Sequence, residues 1–291
     1  MPTLKRLRFP FLILIFTGIL SVFSLLLFFI WEIISKNRLI DYSLFKIREF
    51  LIALWVYCFV LGFSMYQVFY LIPLYFEKLK GYTTLQAGLA ILPMALAIGL
   101  LSPVAGLLSD KKSPKIALYI ATLSYLLVNF LLLPRLNYFT PKDTAILYLT
   151  LMGVGMGFFF APITQMALRS LGDRTTLGVS LMHYIRFVGG SFGTALATND
   201  LQRFATENFQ RSTEIQNIQW VEVHIQRWAQ ELSLFTHQFQ EKAQALFYQL
   251  QSLYALSDAF GSTLFLAGLW ALLGSLPIFY LLFEDVLLRK R

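Results

Sequence analysis

Apolar residues gather into seven long runs, at roughly 9–31, 50–75, 85–108, 116–134, 144–168, 177–198 and 259–283, with polar residues mostly confined between them. About 20 apolar residues in a helix cross the hydrocarbon core of a bilayer. The pattern therefore predicts an all-α, polytopic membrane protein with seven transmembrane helices. The first run follows Lys5, Arg6 and Arg8, as the apolar part of a signal peptide does. Its apolar stretch is too long for that, and no small-residue cleavage site follows, so it is read as a retained helix. One polar interval is long, 199–258, and rich in Gln and aromatics (Trp220, Trp228, Phe235, Phe239, Phe247, Tyr248). Apolar residues three or four apart, as at Leu246, Leu250 and Leu253, predict one or two amphipathic helices there. Such an element either caps the membrane surface or docks a partner protein.

Composition agrees with the pattern. The chain is 57% hydrophobic and only 14% charged, where soluble domains carry about 25% charged residues. Its net charge of +8 sits in connectors at membrane edges, which excludes a nucleic-acid surface. Twelve Lys and Arg lie on one side, in the loops 32–49, 109–115 and 169–176 and the tail 284–291. Seven lie on the other, with the long interval left uncounted. The richer side is predicted cytoplasmic, placing the C-terminus inside and the N-terminus outside. Lys5, Arg6 and Arg8 then stand on the wrong side, a frustration that more protein ahead of them would relieve. Cys58 is the only cysteine, so no disulfide framework or multi-cysteine metal site is expected. His183, His224 and His237 have no metal-ligand spacing. With no nucleophile and base in a plausible site and no phosphate loop, neither an enzyme nor a cofactor is expected.

Against this apolar background one segment stands out, Gly178–Gly193, GVSLMHYIRFVGGSFG. Arg186 is the only Lys or Arg inside any apolar run. It lies roughly 13 Å from the nearer end of its run at helical rise, near the bilayer midplane. A midplane arginine costs roughly 2.5–3.5 kcal/mol on insertion scales and calls for a partner. No acid lies deep in another run, so the partner is a carbonyl, a water, a ligand or something outside the chain. Small residues recur every four positions at Gly153, Gly157 and Ala161, and again at Gly189, Gly193 and Ala197. Such faces let helix backbones approach closely in lipid. Pro93, Pro103, Pro162 and Pro277 are predicted to interrupt their spans.

Four stretches carry a resemblance: IDYSLFKIREF (Ile40–Phe50), LIPLYFEKLKGYTTLQAGLAILP (Leu71–Pro93), LSPVAGLLSDKKSPK (Leu101–Lys115) and Ser180–Gly193. Together they resemble the C-terminal half of a major facilitator superfamily transporter. More narrowly, they are similar to the fourteen-span drug:proton antiporters of the EmrB/QacA type. The resemblance implies a linker helix and cytoplasmic loop in 1–49. It implies a six-helix transporter domain of two inverted three-helix repeats in 50–291, with 199–258 as its external loop. The chain departs from the pattern at Ser113 and Pro114, where a Gly and a basic residue are usual, and at His183, where Asn is usual.

The resemblance implies proton-coupled efflux of drugs or other amphiphilic compounds across the inner membrane. Its partners would be the lipid bilayer, an amphiphilic substrate, a separately encoded N-terminal half and a periplasmic adaptor protein. A non-transporting scaffold that binds an adaptor is the alternative. A retinal-type seven-helix receptor is excluded, since 259–283 holds no lysine. Arg186 and His183 read either as packing residues or as coupling residues at an interface with the other half. Asp110, Lys111 and Lys115 are expected to clamp helix ends on the cytoplasmic side, or else form an ordinary solvated loop. Tyr57, Tyr66, Gln67 and Tyr70 are candidates for the substrate cavity, with aromatic core packing as the other reading. Gln165 joins them, and together with Asn129 it also suits an interhelical hydrogen bond.

Overall fold

The computed structural model describes residues 3–35, 42–215, 223, 227 and 237–288. Seven long helices carry them: α1 (Thr3–Ile34), α2 (Arg48–Leu79), α3 (Thr84–Lys111), α4 (Pro114–Arg135), α5 (Lys142–Arg169), α6 (Thr175–Ile215) and α7 (His237–Leu288). No strand occurs among the described residues. Each predicted run forms one helix. Six helices, α1 to α5 and α7, are long and apolar enough to cross a membrane. The run in α6 falls short of that hydropathy, diluted by His183, Arg186 and its small residues.

The chain divides into two compact units, Met1–Lys46 and Ile47–Arg291. In the first, α1 exposes apolar side chains on all sides from Phe16 to Ile34, as a helix surrounded by lipid does. A short 3₁₀ turn, Tyr42–Lys46, follows.

The second unit is a six-helix bundle around α2. Helix α2 packs along α6 and α7, while α3 packs along α5, and α4 along α5 and α7. Taken as consecutive triples, α2–α3–α4 and α5–α6–α7, these pairings exchange. The pair α2·α6 becomes α5·α3, and α2·α7 becomes α5·α4. Three is an odd number, so helices alternating in direction start the second triple opposite to the first, as the expected inverted repeat requires.

Two details of α2 and α4 go beyond the sequence pattern. Helix α2 contains π turns at Phe59–Ser64 and Tyr75–Leu79, and α4 contains one at Val128–Leu132. A π turn inserts an extra residue and re-aims the side chains beyond it. The prolines do not interrupt their spans as expected. Pro93 and Pro103 in α3, Pro162 in α5 and Pro277 in α7 all sit inside helices that run on past them. Proline inside a membrane span is tolerated where local adjustment or neighbouring groups satisfy the freed carbonyls.

Tight connectors have local causes. Thr83 and Gln86 form a reciprocal capping box at the start of α3. Ser113 caps α4, and Pro114 takes its first position, where proline's missing N–H costs nothing. The two departures from the family's loop pattern are thus the start signal of α4.

The interval 199–258, expected to hold one or two amphipathic helices, is described mainly at its two ends. Its described parts are extensions of the core helices, α6 running on to Ile215 and α7 beginning at His237. The extensions are joined where Gln251 Nε2 donates to Ser212 Oγ (2.8 Å) and Thr213 Oγ1 (3.2 Å), and Asn208 Nδ2 to the Ala255 carbonyl (3.4 Å). Leu246 and Leu250 are exposed on this hairpin. Trp220, His224, Trp228 and Phe235 lie outside the described residues, as do Lys36, Arg38, Arg289, Lys290 and Arg291.

Candidate functional site

Three helices approach closely around the first π turn of α2. A Cβ on Gly189 would lie 2.6 Å from the Cys58 carbonyl oxygen, and one on Gly193 2.5 Å from that of Phe63. From α7, a Cβ on Gly274 would meet Val60 Cγ2 at 2.6 Å. A Cβ on Gly62 itself would meet the Arg186 carbonyl oxygen at 3.1 Å. Backbone contact of this kind needs residues without side chains on both helices. Gly153 and Gly157 of α5 hold the same kind of contact with α3, against the Met94 and Ile98 carbonyls.

Arg186 emerges from this crossing. Its level beside Gly62, near the middle of α2, puts it at mid-height of the bundle. The guanidinium lies over Phe160 of α5, 5.8 Å from Cζ to the ring centre, and over Phe187, 5.0 Å away. Its Nε is buried and donates to no partner. His183, one turn earlier, meets Tyr57 edge to face at 6.0 Å between ring centres. The Tyr57 hydroxyl shares a 2.6 Å hydrogen bond with Thr164 Oγ1 of α5. Tyr66 lies against Gly190 and stands edge-on to Phe187 at 6.5 Å.

One cluster from α2, α5 and α6 therefore contains Arg186, His183, Tyr57 and Tyr66. Phe160, Thr164 and Phe187 complete it, and sequence reasoning missed them. Their one sequence signal was adjacency: Phe160 and Thr164 share a helix face just after Gly157. Gln67 is buried on α2, and neither its Oε1 nor its Nε2 has a partner. Gln165 Oε1 is in the same condition, so it makes no interhelical bond through that atom. Tyr70 is half-buried and makes none of these contacts. Asn129 Nδ2 donates to Tyr125 O in its own helix (2.8 Å) and faces Met152 Sδ of α5 at 3.5 Å.

At one end of the bundle, charges tie helix ends together. Asp110 at the end of α3 pairs with Arg169 at the end of α5 (3.2 Å). Lys115 pairs with Asp285 of α7 (2.7 Å), which also accepts from the Tyr119 hydroxyl (2.9 Å). Arg48 meets Glu284 through both carboxylate oxygens. Asp110 and Lys115 thus stand in separate ion pairs, and Lys111 is exposed and joins neither. At the opposite end Lys80 donates to the Tyr138 and Thr140 carbonyls. Desolvation there holds its ammonium below the usual lysine range.

Membrane-length apolar helices with a tyrosine–threonine pair, a buried glutamine and a cation at mid-height define a multi-pass membrane protein with a polar interior. Residues 5–194 match the model of the Major Facilitator Superfamily, and the chain belongs to that superfamily of transporters. The matched stretch takes in α1 to α5 and the part of α6 that bears Arg186. Several curated transporters are similar to it. The multidrug export protein EmrB of Haemophilus influenzae is 31% identical over 190 residues, 64% of this chain and 36% of that protein. The fatty acid resistance protein FarB of Neisseria gonorrhoeae is 30% identical over 190 residues, 64% of this chain and 36% of its own. The riboflavin transporter RibZ of Clostridioides difficile is 28% identical over 197 residues, 67% of this chain and 42% of its own. The chain spans about a third of the length of the first curated relatives it matches. The likeness to EmrB agrees with the resemblance to the drug antiporters read from the sequence.

Proposed function

We propose that this chain is a membrane domain of a proton-coupled exporter of drugs or other amphiphilic compounds, seated in the inner membrane. Its N-terminus is outside and its C-terminus cytoplasmic. Residues 50–291 act as one six-helix half, and alternating access rocks that half against another around a midplane site. The observation that carries the reading is Arg186, a cation at mid-height whose Nε is buried and unpartnered. Such a group is expensive in lipid unless it meets a partner during the transport cycle. The second half would be a separately encoded N-terminal bundle. That the matched stretch makes up only 36 to 42% of these relatives supports this, and the names of EmrB, FarB and RibZ support a broad range of amphiphilic or aromatic cargo. Tyr57, Tyr66, Gln67, Tyr70 and Gln165 would line the path, with Arg186 and His183 coupling it to the proton. Asp110 and Lys115 would hold the cytoplasmic ends. The α6–α7 hairpin is the surface a periplasmic adaptor would grip.

The test is reconstitution in proteoliposomes with an imposed pH gradient and a fluorescent amphiphilic dye. Dye movement is expected from the chain together with a complementary six-helix half, and to vanish without the gradient. Transport by this chain alone would refute the two-half requirement.

A further inference from the structure

We propose that a cavity on the flank of the bundle holds the ammonium head group of a zwitterionic aminophospholipid. The cavity measures about 510 Å³ and lies between the turn after α4, the extension of α6, and α7. Pro134, Leu136, Phe204 and Phe265 supply apolar walls, and Asp258 and Ser262 polar ones. The walls are held in place. The Tyr138 N–H donates to Ser257 Oγ (2.8 Å), and Phe130 of α4 meets Phe265 edge to face at 5.3 Å between ring centres. A Cβ on Gly261 would lie 2.7 Å from the Pro134 carbonyl oxygen, so α7 and the turn touch through backbone. Asp258 is exposed here, and among the described residues its carboxylate pairs with no base. The nearby cations are engaged elsewhere: Arg203 pairs with Asp200 at 3.3 Å, and Lys80 donates to the Tyr138 and Thr140 carbonyls. The cavity therefore presents a negative charge that nothing beside it neutralises.

The rest of α7 selects a lipid. Asp258, Ser262, Phe265, Leu269, Leu272 and Leu276 recur four and three apart and so share one helix face. The last four of them are exposed. Phe265 to Leu276 spans about 16 Å at helical rise, about half of a hydrocarbon core roughly 30 Å thick. The stripe thus has the length of one leaflet's acyl chain, and Asp258 stands two turns beyond its outer end, on the side of the head groups. Arg135, exposed in the turn between Pro134 and Leu136, puts a cation beside the cavity. An acid within and a base at the rim match a head group that carries an ammonium and a phosphate. A purely anionic head group would meet repulsion from Asp258, and an amine without a tail would leave the apolar stripe uncovered.

The experiment uses the full chain purified in detergent and mixed with equal amounts of phosphatidylethanolamine and phosphatidylglycerol bearing the same acyl chains. Native mass spectrometry reads the ratio of the two lipids in the species that carries one lipid. Phosphatidylethanolamine is expected in about threefold to tenfold excess, the span between an exposed ion pair and a charge-assisted hydrogen bond. Asp258→Asn brings the ratio close to one, and Asp258→Glu keeps most of the excess. Asp143→Asn, an exposed acid at the start of α5 outside the cavity, leaves the ratio as in the wild type. An equal ratio in the wild type, an excess that persists in Asp258→Asn, or an excess lost as fully in Asp143→Asn overturns the proposal. Ethanolamine added at the concentration of the lipids is expected to leave the bound phosphatidylethanolamine in place. Its displacement would put the affinity in the amine alone and overturn the assignment to a lipid.

Discussion

Gly189→Ala and Gly193→Ala test how tightly α2 and α6 are held. The new methyl carbons would stand 2.6 Å from the Cys58 oxygen and 2.5 Å from the Phe63 oxygen, with Phe63 Cα at 2.9 Å from the second. The obstacles are backbone, so no side chain can swing aside. A carbon–oxygen contact relaxes at about 3.3 Å, so the helices must part by roughly 0.7 Å. A gap of that size forfeits a quarter to a half of the dispersion energy across the crossing. Each substitution is expected to cost about 1–3 kcal/mol, the usual range for an overpacked methyl. The two sites lie one turn apart and are relieved by one displacement, so the double variant should cost less than the sum. Gly88→Ala and Gly99→Ala are the controls. A Cβ at either meets nothing within 4 Å, and the gain in helix propensity is at most about 1 kcal/mol. The assay is unfolding of the purified chain in mixed micelles with increasing dodecyl sulfate, followed by helicity. An unfolding midpoint for Gly189→Ala that matches Gly88→Ala would refute the reasoning.

Other substitutions probe the polar interior. Arg186→Ala is expected to abolish transport in the reconstituted two-half assembly while leaving membrane insertion of this chain intact, and unchanged dye movement would return Arg186 to a packing role. Tyr57→Phe removes one buried hydrogen bond but leaves Thr164 bonded to the Phe160 carbonyl (2.7 Å), so a loss of only about 0.5–1.5 kcal/mol is expected by the same unfolding assay. Gln67→Leu replaces an amide with two unpartnered buried atoms and should raise stability by about 1–3 kcal/mol while impairing transport; a destabilised protein would show that the amide has a partner in the membrane. Asp285→Asn loosens the contacts to Lys115 and Tyr119, and its effect on the unfolding midpoint should shrink as salt is raised; a salt-independent effect would argue against an electrostatic tie.

The helices were legible because run length is a direct readout of bilayer thickness, and all seven runs became helices. Their ends were less so. Nothing in the apolar pattern of 177–198 announces a helix that continues to Ile215, because past Asn199 the residues turn polar and the hydropathy signal ends while the backbone geometry continues. The π turns left no trace for a related reason. The one at Phe59–Ser64 belongs to the fit of Gly62 against Gly189 and of Val60 against Gly274, which depends on three helices at once. Arg186 was conspicuous as a charge among apolar residues, whereas Phe160 and Thr164 looked like any other residues of a span. What makes them part of the cluster is the crossing of α5 with α2 and α6, and a one-dimensional pattern does not encode it. Ser113 and Pro114 read as departures from a family motif and became a helix start once their backbone was in view.

The unbroken passage of α6 from the bundle into the polar hairpin has the geometry of a lever. From Gly189 to Ile215 the chain is a single helix, about 39 Å long at 1.5 Å per residue. A tilt of about 5° pivoting on the glycine contact would swing its outer tip by about 3 Å over that length. The Gln251 bonds to Ser212 and Thr213 oblige α7 to follow. It follows that any molecule gripping the hairpin feels the angle of the membrane helices, and a force applied there reaches the level of Arg186 without crossing a loop. Spin labels at Gln210 and on the core of α3 would register the swing as a distance change between outward- and inward-facing conditions, and a constant distance would mean that the lever does not move.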